Sequence, residues 1–329
     1  MNIFSSTPLR ISLFGGGTDM PEYFSKHGSK ILSFAIDKFV RVEFRKVPMF
    51  SKINYRFIYS KTESLYSFEN SNNPVFKNIF SFTKSKKTFG EYIYQSDLPS
   101  MSGVGSSSAF TISMLNLLNY IKKIKKKDPY SLSKKAIYFE QKILNEKVGI
   151  QDQIACAYGG FNKINISRDG NFQVKKLYNQ NKKNITKLVE TLFLIHTGRY
   201  RFASDTEKTK KFNLIDLSYL AQAADEGEKI IKSKKLITDE IGKLLLETWK
   251  IKKSISNNVS SPEADYIIET AIKNGANGGK VIGAGNGGFV LLQVPKKYQK
   301  KIFKIFAKFL IVKVNCFNKT PQINEIKFD

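Results

Sequence analysis

Val40-Arg41-Val42-Glu43-Phe44-Arg45 alternates apolar and charged residues without a break, which predicts a strand with one buried face. Tyr55–Tyr59 nearly repeats that pattern, and Glu91–Tyr94 reads as another short strand. From Ser106 the period changes. Apolar residues return at Phe110, Met114, Leu117, Leu118 and Ile121, the spacing of a helix face. A second helix is expected over roughly Ser131–Glu146. Leu192–Thr197 is an apolar run that predicts a buried strand, with helical segments after it. Phe289–Val294 predicts another strand, directly after a glycine cluster, and Lys297–Leu310 a helix. There is no internal repeat and no low-complexity linker. Strands first, then single helices between strands, argue an α+β layout in two lobes. The division is expected near residue 185, giving units 1–185 and 186–329.

The length of 329 residues suits two domains. With 41% hydrophobic and 25% charged residues the chain reads as globular. No apolar run approaches the ~18 residues of a membrane span. Arg10 falls where a leader peptide would need an apolar core. Two cysteines far apart and two histidines match no zinc spacing, so a reduced, cytoplasmic setting is expected. The formal charge of +26 has two readings: an anionic partner (nucleic acid, a membrane surface or a phosphorylated metabolite), or a lysine-rich composition that places Lys wherever a solvated residue will do. The lysines are scattered, with short clusters at Lys122–Lys127 and Lys296–Lys301 and no interleaved aromatics. That distribution argues against nucleic acid and membrane, while still drawing in polyphosphates.

Three clusters carry chemistry. Pro99-Ser-Met-Ser-Gly103-Val104-Gly105-Ser106-Ser107-Ser108-Ala109 leads straight into the helical period. Glycines let a backbone approach closely, and a helix N-terminus offers free N–H groups and partial positive charge. Serine hydroxyls there can cap the helix, bind phosphate or ligate Mg²⁺. No Lys follows in a Walker arrangement. The second cluster is Gly149-Ile-Gln151-Asp152-Gln153, preceded by Glu140. Glu140 lies on the apolar face of its helix, so its carboxylate needs a metal ion or a Lys. Asp152 is expected in a short loop. The third cluster, Lys280-Val-Ile-Gly283-Ala-Gly285-Asn-Gly287-Gly288-Phe289, formally matches a dinucleotide fingerprint. A strand follows it where a helix should open, so a glycine-rich hairpin turn is the alternative.

In this order, the clusters resemble the three motifs of the GHMP kinases. Gly103–Ala109 is similar to the family's P-x-x-x-G-L-G-S-S-A-A loop, with Val104 for Leu and Ser108 for Ala. Gly283–Gly288 is similar to the third motif, G-A-G-x-G-G. Thr7-Pro-Leu-Arg10-Ile-Ser-Leu-Phe-Gly15-Gly-Gly-Thr18-Asp19 looks like the first. The resemblance implies a two-lobed α+β fold: a mixed α/β N-terminal lobe with the phosphate loop, and a ferredoxin-like C-terminal lobe. It implies ATP on Gly103, Val104, Gly105, Ser106, Ser107 and Ser108, with Mg²⁺ held by Ser107 and Glu140. Asp152 would serve the acceptor hydroxyl, and Arg10 would offset charge on the transferring phosphoryl. Gly16, Gly17, Thr18, Asp19, Gly285 and Gly287 would face the substrate. The galactokinase branch has Glu and His where this chain has Gly16 and Gly17. The Gly15–Asp19 string, the Gln151–Gln153 triplet and Thr197-Gly198-Arg199-Tyr-Arg201 look like the D-glycero-D-manno-heptose 7-phosphate kinases, with fucose kinases sharing part. Arg199 or Arg201 would then hold a substrate phosphate. The expected partner is a small sugar phosphate, and the expected state a monomer or homodimer. A non-catalytic sugar or ATP sensor on the same fold is the other reading.

Overall fold

The computed structural model describes residues 2–48, 50–124, 128–199, 214–255, 259–283 and 285–326. The first sheet is built from β1 (Asn2–Phe14), β2 (Ser29–Lys46), β3 (Tyr55–Ile58), β4 (Thr62–Leu65), β5 (Gly90–Ser96), β6 (Phe161–Ile166) and β7 (Phe172–Lys176). The second holds β8 (Leu192–His196), β9 (Gly278–Val281), β10 (Phe289–Gln293) and β11 (Ile311–Lys313). The last strand, β12 (Gln322–Ile326), returns to the first sheet beside β1. The long strand β2 organises that sheet. One edge pairs with β1; the other pairs with β5 over Val40–Lys46 and with β6 over Ser29–Phe34.

Helices α1 (Pro21–His27), α2 (Pro74–Phe82), α3 (Ser106–Ile121), α4 (Pro129–Tyr138), α5 (Gln151–Tyr158) and α6 (Tyr178–Val189) belong to the first half. The helical period from Ser106 is the buried helix α3: Phe110, Met114, Leu117 and Leu118 are all in the core. It is buried on its polar side as well, because it packs between β1–β2 and α4–α5. There Ser113 Oγ donates to Thr7 Oγ1 at 2.7 Å. The second helix is not continuous to Glu146. It leaves α geometry at Phe139 for one wide turn to Ile143, in which Leu144 N–H bonds back to the Phe139 carbonyl at 2.9 Å. Such wide turns bulge the helix and re-aim side chains; this one carries Phe139 and Glu140 inward.

The second sheet runs β11-β8-β10-β9, all antiparallel. Helices α7 (Leu214–Lys232), α8 (Thr238–Ile255) and α9 (Pro262–Lys273) lie between β8 and β9, and α10 (Lys296–Ile305) between β10 and β11. This is the β-α-β-β-α-β order of a ferredoxin-like sheet with added crossover helices. The helix expected to Leu310 stops at Ile305. Both faces of the sheet are covered. Leu192, Leu194, Phe289 and Leu291 join the core shared with the first sheet, while Phe193, Ile195, Val290 and Leu292 pack with Ile267, Ile302 and Phe306. Burial on two sides is why these strands read as unbroken apolar runs. The chain changes sheets between β7 and β8, and returns through a bridge from Cys316 to Ile36 before β12. A cut at residue 185 therefore leaves in the second unit a strand that the first sheet holds.

Candidate active site

The phosphate loop ends in a left-handed Gly105 (φ 78°), which caps α3 with no side-chain hydrogen bond. The serines do not cap the helix; the first helical bond is Ala109 N–H to the Gly105 carbonyl at 2.9 Å. Sixteen residues of helix therefore aim their first N–H groups and partial positive charge at one place. Ser107 is exposed there, whereas Ser106 and Ser108 are buried. The Val104 side chain is fully buried, and its carbonyl accepts Arg10 N–H at 3.0 Å. The third cluster is the turn of the β9–β10 hairpin, and it supports this loop backbone against backbone. A Cβ on Gly103 would stand 2.4 Å from the Ile282 carbonyl oxygen, and one on Gly283 2.6 Å from Gly103 Cα. Only glycine fits such an approach. Gly285 packs on Val259 and Gly287 on Arg199.

Beside the loop, buried Arg10 grips Asp152 with both arms of its fork: Nε to Oδ1 at 2.7 Å and Nη2 to Oδ2 at 2.5 Å. Its third donor, Nη1, holds the Gly103 carbonyl at 2.5 Å. Asp152 is thereby tied to the phosphate loop through one rigid guanidinium. It sits in the first turn of α5, not in a loop, and its side chain stays 28% exposed, open to a substrate. Asp19 lies next to it. Its carboxylate accepts from Gly17 N–H at 3.0 Å, Gln151 N–H at 3.2 Å and Gln151 Nε2 at 3.2 Å. Burial, then the charge of Asp152, raise its pKa above the usual carboxylate value, against the pull of the N–H bonds from Gln151 and Gly17. Gly149 makes room for it, since a Cβ there would fall 1.9 Å from Asp19 Oδ2. Thr18 turns inward, its hydroxyl donating to the Gly15 carbonyl at 2.7 Å, so it locks the turn and does not face a ligand. Gly17 looks into open space.

Glu140 is 1% exposed. Its hydrogen-bond partners are neutral: Ser108 Oγ at 2.9 Å and Gln153 Nε2 at 2.5 Å, both on Oε2. Oε1 is buried with no hydrogen-bond partner among the described residues. Burial pushes its pKa up to about 8, only partly offset by these donors. An orphaned carboxylate oxygen at the foot of α3 fits a divalent cation, which Mg²⁺ sites satisfy with one or two carboxylates plus phosphate and water. The serine that meets Glu140 is Ser108; Ser107 is the exposed neighbour at the helix start.

Arg199 is half exposed and ion-paired to Glu263 at 2.7 Å. Arg201 lies outside the described residues. Lys280 opens the third cluster, but the sequence alone assigns it no role. It is buried in β9, and its Nζ donates to the Leu13 carbonyl at 2.8 Å, tying the third cluster to β1. Burial, with Lys252 and Arg10 nearby, holds its ammonium well below its ordinary pKa. The available signal was a Lys set directly before the apolar Val-Ile pair of a buried strand.

A glycine-backed helix N-terminus beside an aspartate clamped by arginine has the chemistry of a phosphoryl-transfer site. The comparisons agree. Residues 75–160 match the GHMP kinases N terminal domain and residues 234–311 the GHMP kinases C terminal domain. The chain is 30% identical over 324 residues, 93% of each protein, to the D-glycero-alpha-D-manno-heptose 7-phosphate kinase of Campylobacter jejuni. It is 25% identical to the mevalonate kinase of Methanocaldococcus jannaschii over 94% of this chain and 97% of that one. In fold it matches the crystal structure of a D-glycero-D-manno-heptose 1-phosphate kinase from Bacteriodes thetaiotaomicron with a TM-score of 0.79 at 19% identity, covering 99% of this chain and 100% of that one. The chain belongs to the GHMP kinases and is an ATP-dependent kinase.

Proposed function

We propose that this protein transfers the γ-phosphoryl group of ATP to the anomeric hydroxyl of D-glycero-D-manno-heptose 7-phosphate. The product would be the 1,7-bisphosphate, on a route to nucleotide-activated heptose for capsule or other surface polysaccharide. The observation that carries the reading is Asp152, clamped bidentately by Arg10 between the phosphate loop and Asp19. Similarity along nearly the whole chain to a heptose 7-phosphate kinase supports the choice of sugar.

Phosphoryl transfer needs positioning and charge neutralisation more than covalent help from the protein. The free N–H groups of α3 and the Gly103–Ser108 backbone bind the phosphates. Glu140 and Ser107 would hold Mg²⁺, with Ser108 and Gln153 fixing the other oxygen of Glu140; bound there, the ion would neutralise phosphate charge. Asp152 accepts the proton of the acceptor hydroxyl. Arg10 keeps that carboxylate in one orientation and sets positive charge beside the phosphate loop. Asp19, with Gly16, Gly17 and the turn at Gly285 and Gly287, shapes the sugar side, and Arg199 or Arg201 would meet the 7-phosphate.

A coupled assay with Mg²⁺ and ATP tests this against the heptose 7-phosphate, mannose, fucose, galactose, N-acetylhexosamines and mevalonate. Turnover with the heptose phosphate alone is expected. Turnover with only an unphosphorylated sugar would discard the heptose assignment and keep the kinase.

A further inference from the structure

One further inference rests on the sugar-kinase reading and sharpens it. Gly16 lies between β1 and the start of α5. A Cβ built on it would stand 3.0 Å from Ser12 Oγ, 3.5 Å from Gln151 Nε2 and 3.7 Å from Gln151 Oε1. Ser12 is 4% exposed. Neither Ser12 Oγ nor Gln151 Oε1 has a hydrogen-bond partner among the described residues, although both atoms are buried. Buried polar atoms are paired as a rule, because an unmade bond forfeits their hydration. Two of them converge here on a position that has no side chain to use them.

The sense of the Gln151 amide follows from its neighbour. The Asp19 carboxylate only accepts, so the NH₂ group must face it, as it does at 3.2 Å, and the oxygen is left turned away. The geometry points to Gln151 Oε1 and Ser12 Oγ as a hydroxyl subsite for the acceptor sugar, with Gln151 as a specificity-determining residue. An amide oxygen accepts from a hydroxyl and repels an anion, and Asp19 behind it adds to that repulsion. The subsite therefore takes a neutral polyol edge, and the phosphorylated end of the substrate points away from Gly16. Asp19 accepts from Gln151 and feels the charge of Asp152, so the hydroxyl that Gln151 reads lies on the Asp152 side of the site. Gly16 is glycine because a side chain would fill the subsite.

A purely structural account has to be separated from this one. Ser12 pairs across the sheet with Ser33, and Ser33 with Asn162. Ser33 Oγ and Asn162 Oδ1 are also buried, with no hydrogen-bond partner among the described residues. If the row is only a polar ridge, Ser33 matters as much as Ser12.

The test measures kcat and KM for the full-length enzyme with the heptose 7-phosphate and its monodeoxy analogues. Wild type should discriminate against one analogue by about 10–100-fold, the worth of a hydrogen bond whose partner is left buried. Gln151→Ala should lose that factor on the parent sugar and then treat parent and that analogue alike, with KM for ATP within about twofold of wild type. Ser12→Ala should show the same pattern at roughly 3–10-fold, and Ser33→Ala should show none of it. If Gln151→Ala does not fold, Gly16→Ala blocks the subsite from the other side and should raise KM for the sugar but not for ATP. Equal loss on the parent and every analogue in the Gln151 variant, or equal effects of Ser12→Ala and Ser33→Ala, would overturn the subsite. Should wild type prefer another sugar of the panel, the heptose reading fails and the analogues of that sugar carry the same test. A folded wild type that phosphorylates no sugar sinks both.

Discussion

Asp152 and Glu140 flank the same phosphate loop, yet their surroundings are opposite. Asp152 is partly exposed and has both oxygens on the Arg10 fork. Glu140 is buried, and among the described residues it meets only neutral donors and keeps one oxygen without a hydrogen-bond partner. The first carboxylate has its positive charge built into the chain. The second fits a cation that arrives with the substrate. A buried carboxylate without a counter-charge is expensive, so the contrast supports the division of labour proposed above, with Asp152 for proton transfer and Glu140 for metal-assisted phosphate binding.

The largest effect should follow from breaking the compensated side. Replacing Asp152 by Asn keeps its size and removes the proton acceptor, and kcat should fall by roughly 10²–10⁴-fold. Alanine is a poorer probe, because it would leave the buried Arg10 fork with no acceptor at all, whereas Asn keeps one oxygen for it. Arg10→Lys retains a charge but not the two-armed grip, and should cost less, about 10–100-fold. Steady-state kinetics decide both. Wild-type kcat in a folded Asp152→Asn protein would remove Asp152 from proton transfer.

The uncompensated side should give a smaller and different response. Glu140→Gln keeps the bonds to Ser108 and Gln153 available and removes the charge. The Mg²⁺ concentration for half-maximal activity should rise by about 10–100-fold, with little change in KM for the sugar. An unchanged Mg²⁺ profile would assign the metal elsewhere.

Much of this contrast was legible in the sequence, but unevenly. Glu140 announced itself because a carboxylate at helical spacing among Ala136, Ile137 and Leu144 cannot be innocuous. The glycine clusters were visible because tight turns and close backbone approach leave few other residues possible. The strands buried on two faces and the buried helix α3 followed from apolar period and length. What could not be read were contacts between distant segments. Arg10 and Asp152 are 142 residues apart, and nothing local marks them as a pair. β1 is hard to read as a strand because Ser5-Ser6-Thr7-Pro8 places buried polar residues where the alternation needs apolar ones, although Leu9-Arg10-Ile11-Ser12-Leu13 does alternate. Gln151 was noticed within its triplet, but its partnership with Asp19 and Gly16 exists only in three dimensions. The wide turn at Phe139–Ile143 has no simple compositional signal, and the helical period runs through it unbroken.

The last effect isolates Glu140 from catalysis altogether. With metal chelated, burial pushes the folded pKa of Glu140 up to about 8, above the ordinary 4.5 of a glutamate in the unfolded chain. A raised carboxylate pKa means that the folded state holds the proton longer. The corresponding stability is complete below the unfolded value and is lost as pH rises through about 8. Between those limits wild type should lose roughly 1 kcal/mol per pH unit relative to Glu140→Gln, whose amide does not titrate. Chemical denaturation of both proteins from pH 5 to 9 in the presence of chelator measures the difference, and other titrating groups cancel in it. Added Mg²⁺ should flatten the wild-type curve, because a cation on Oε1 stabilises the ionised form. Parallel curves for the two proteins would mean that Glu140 is already ionised without metal, and the division of labour between the two carboxylates would fail.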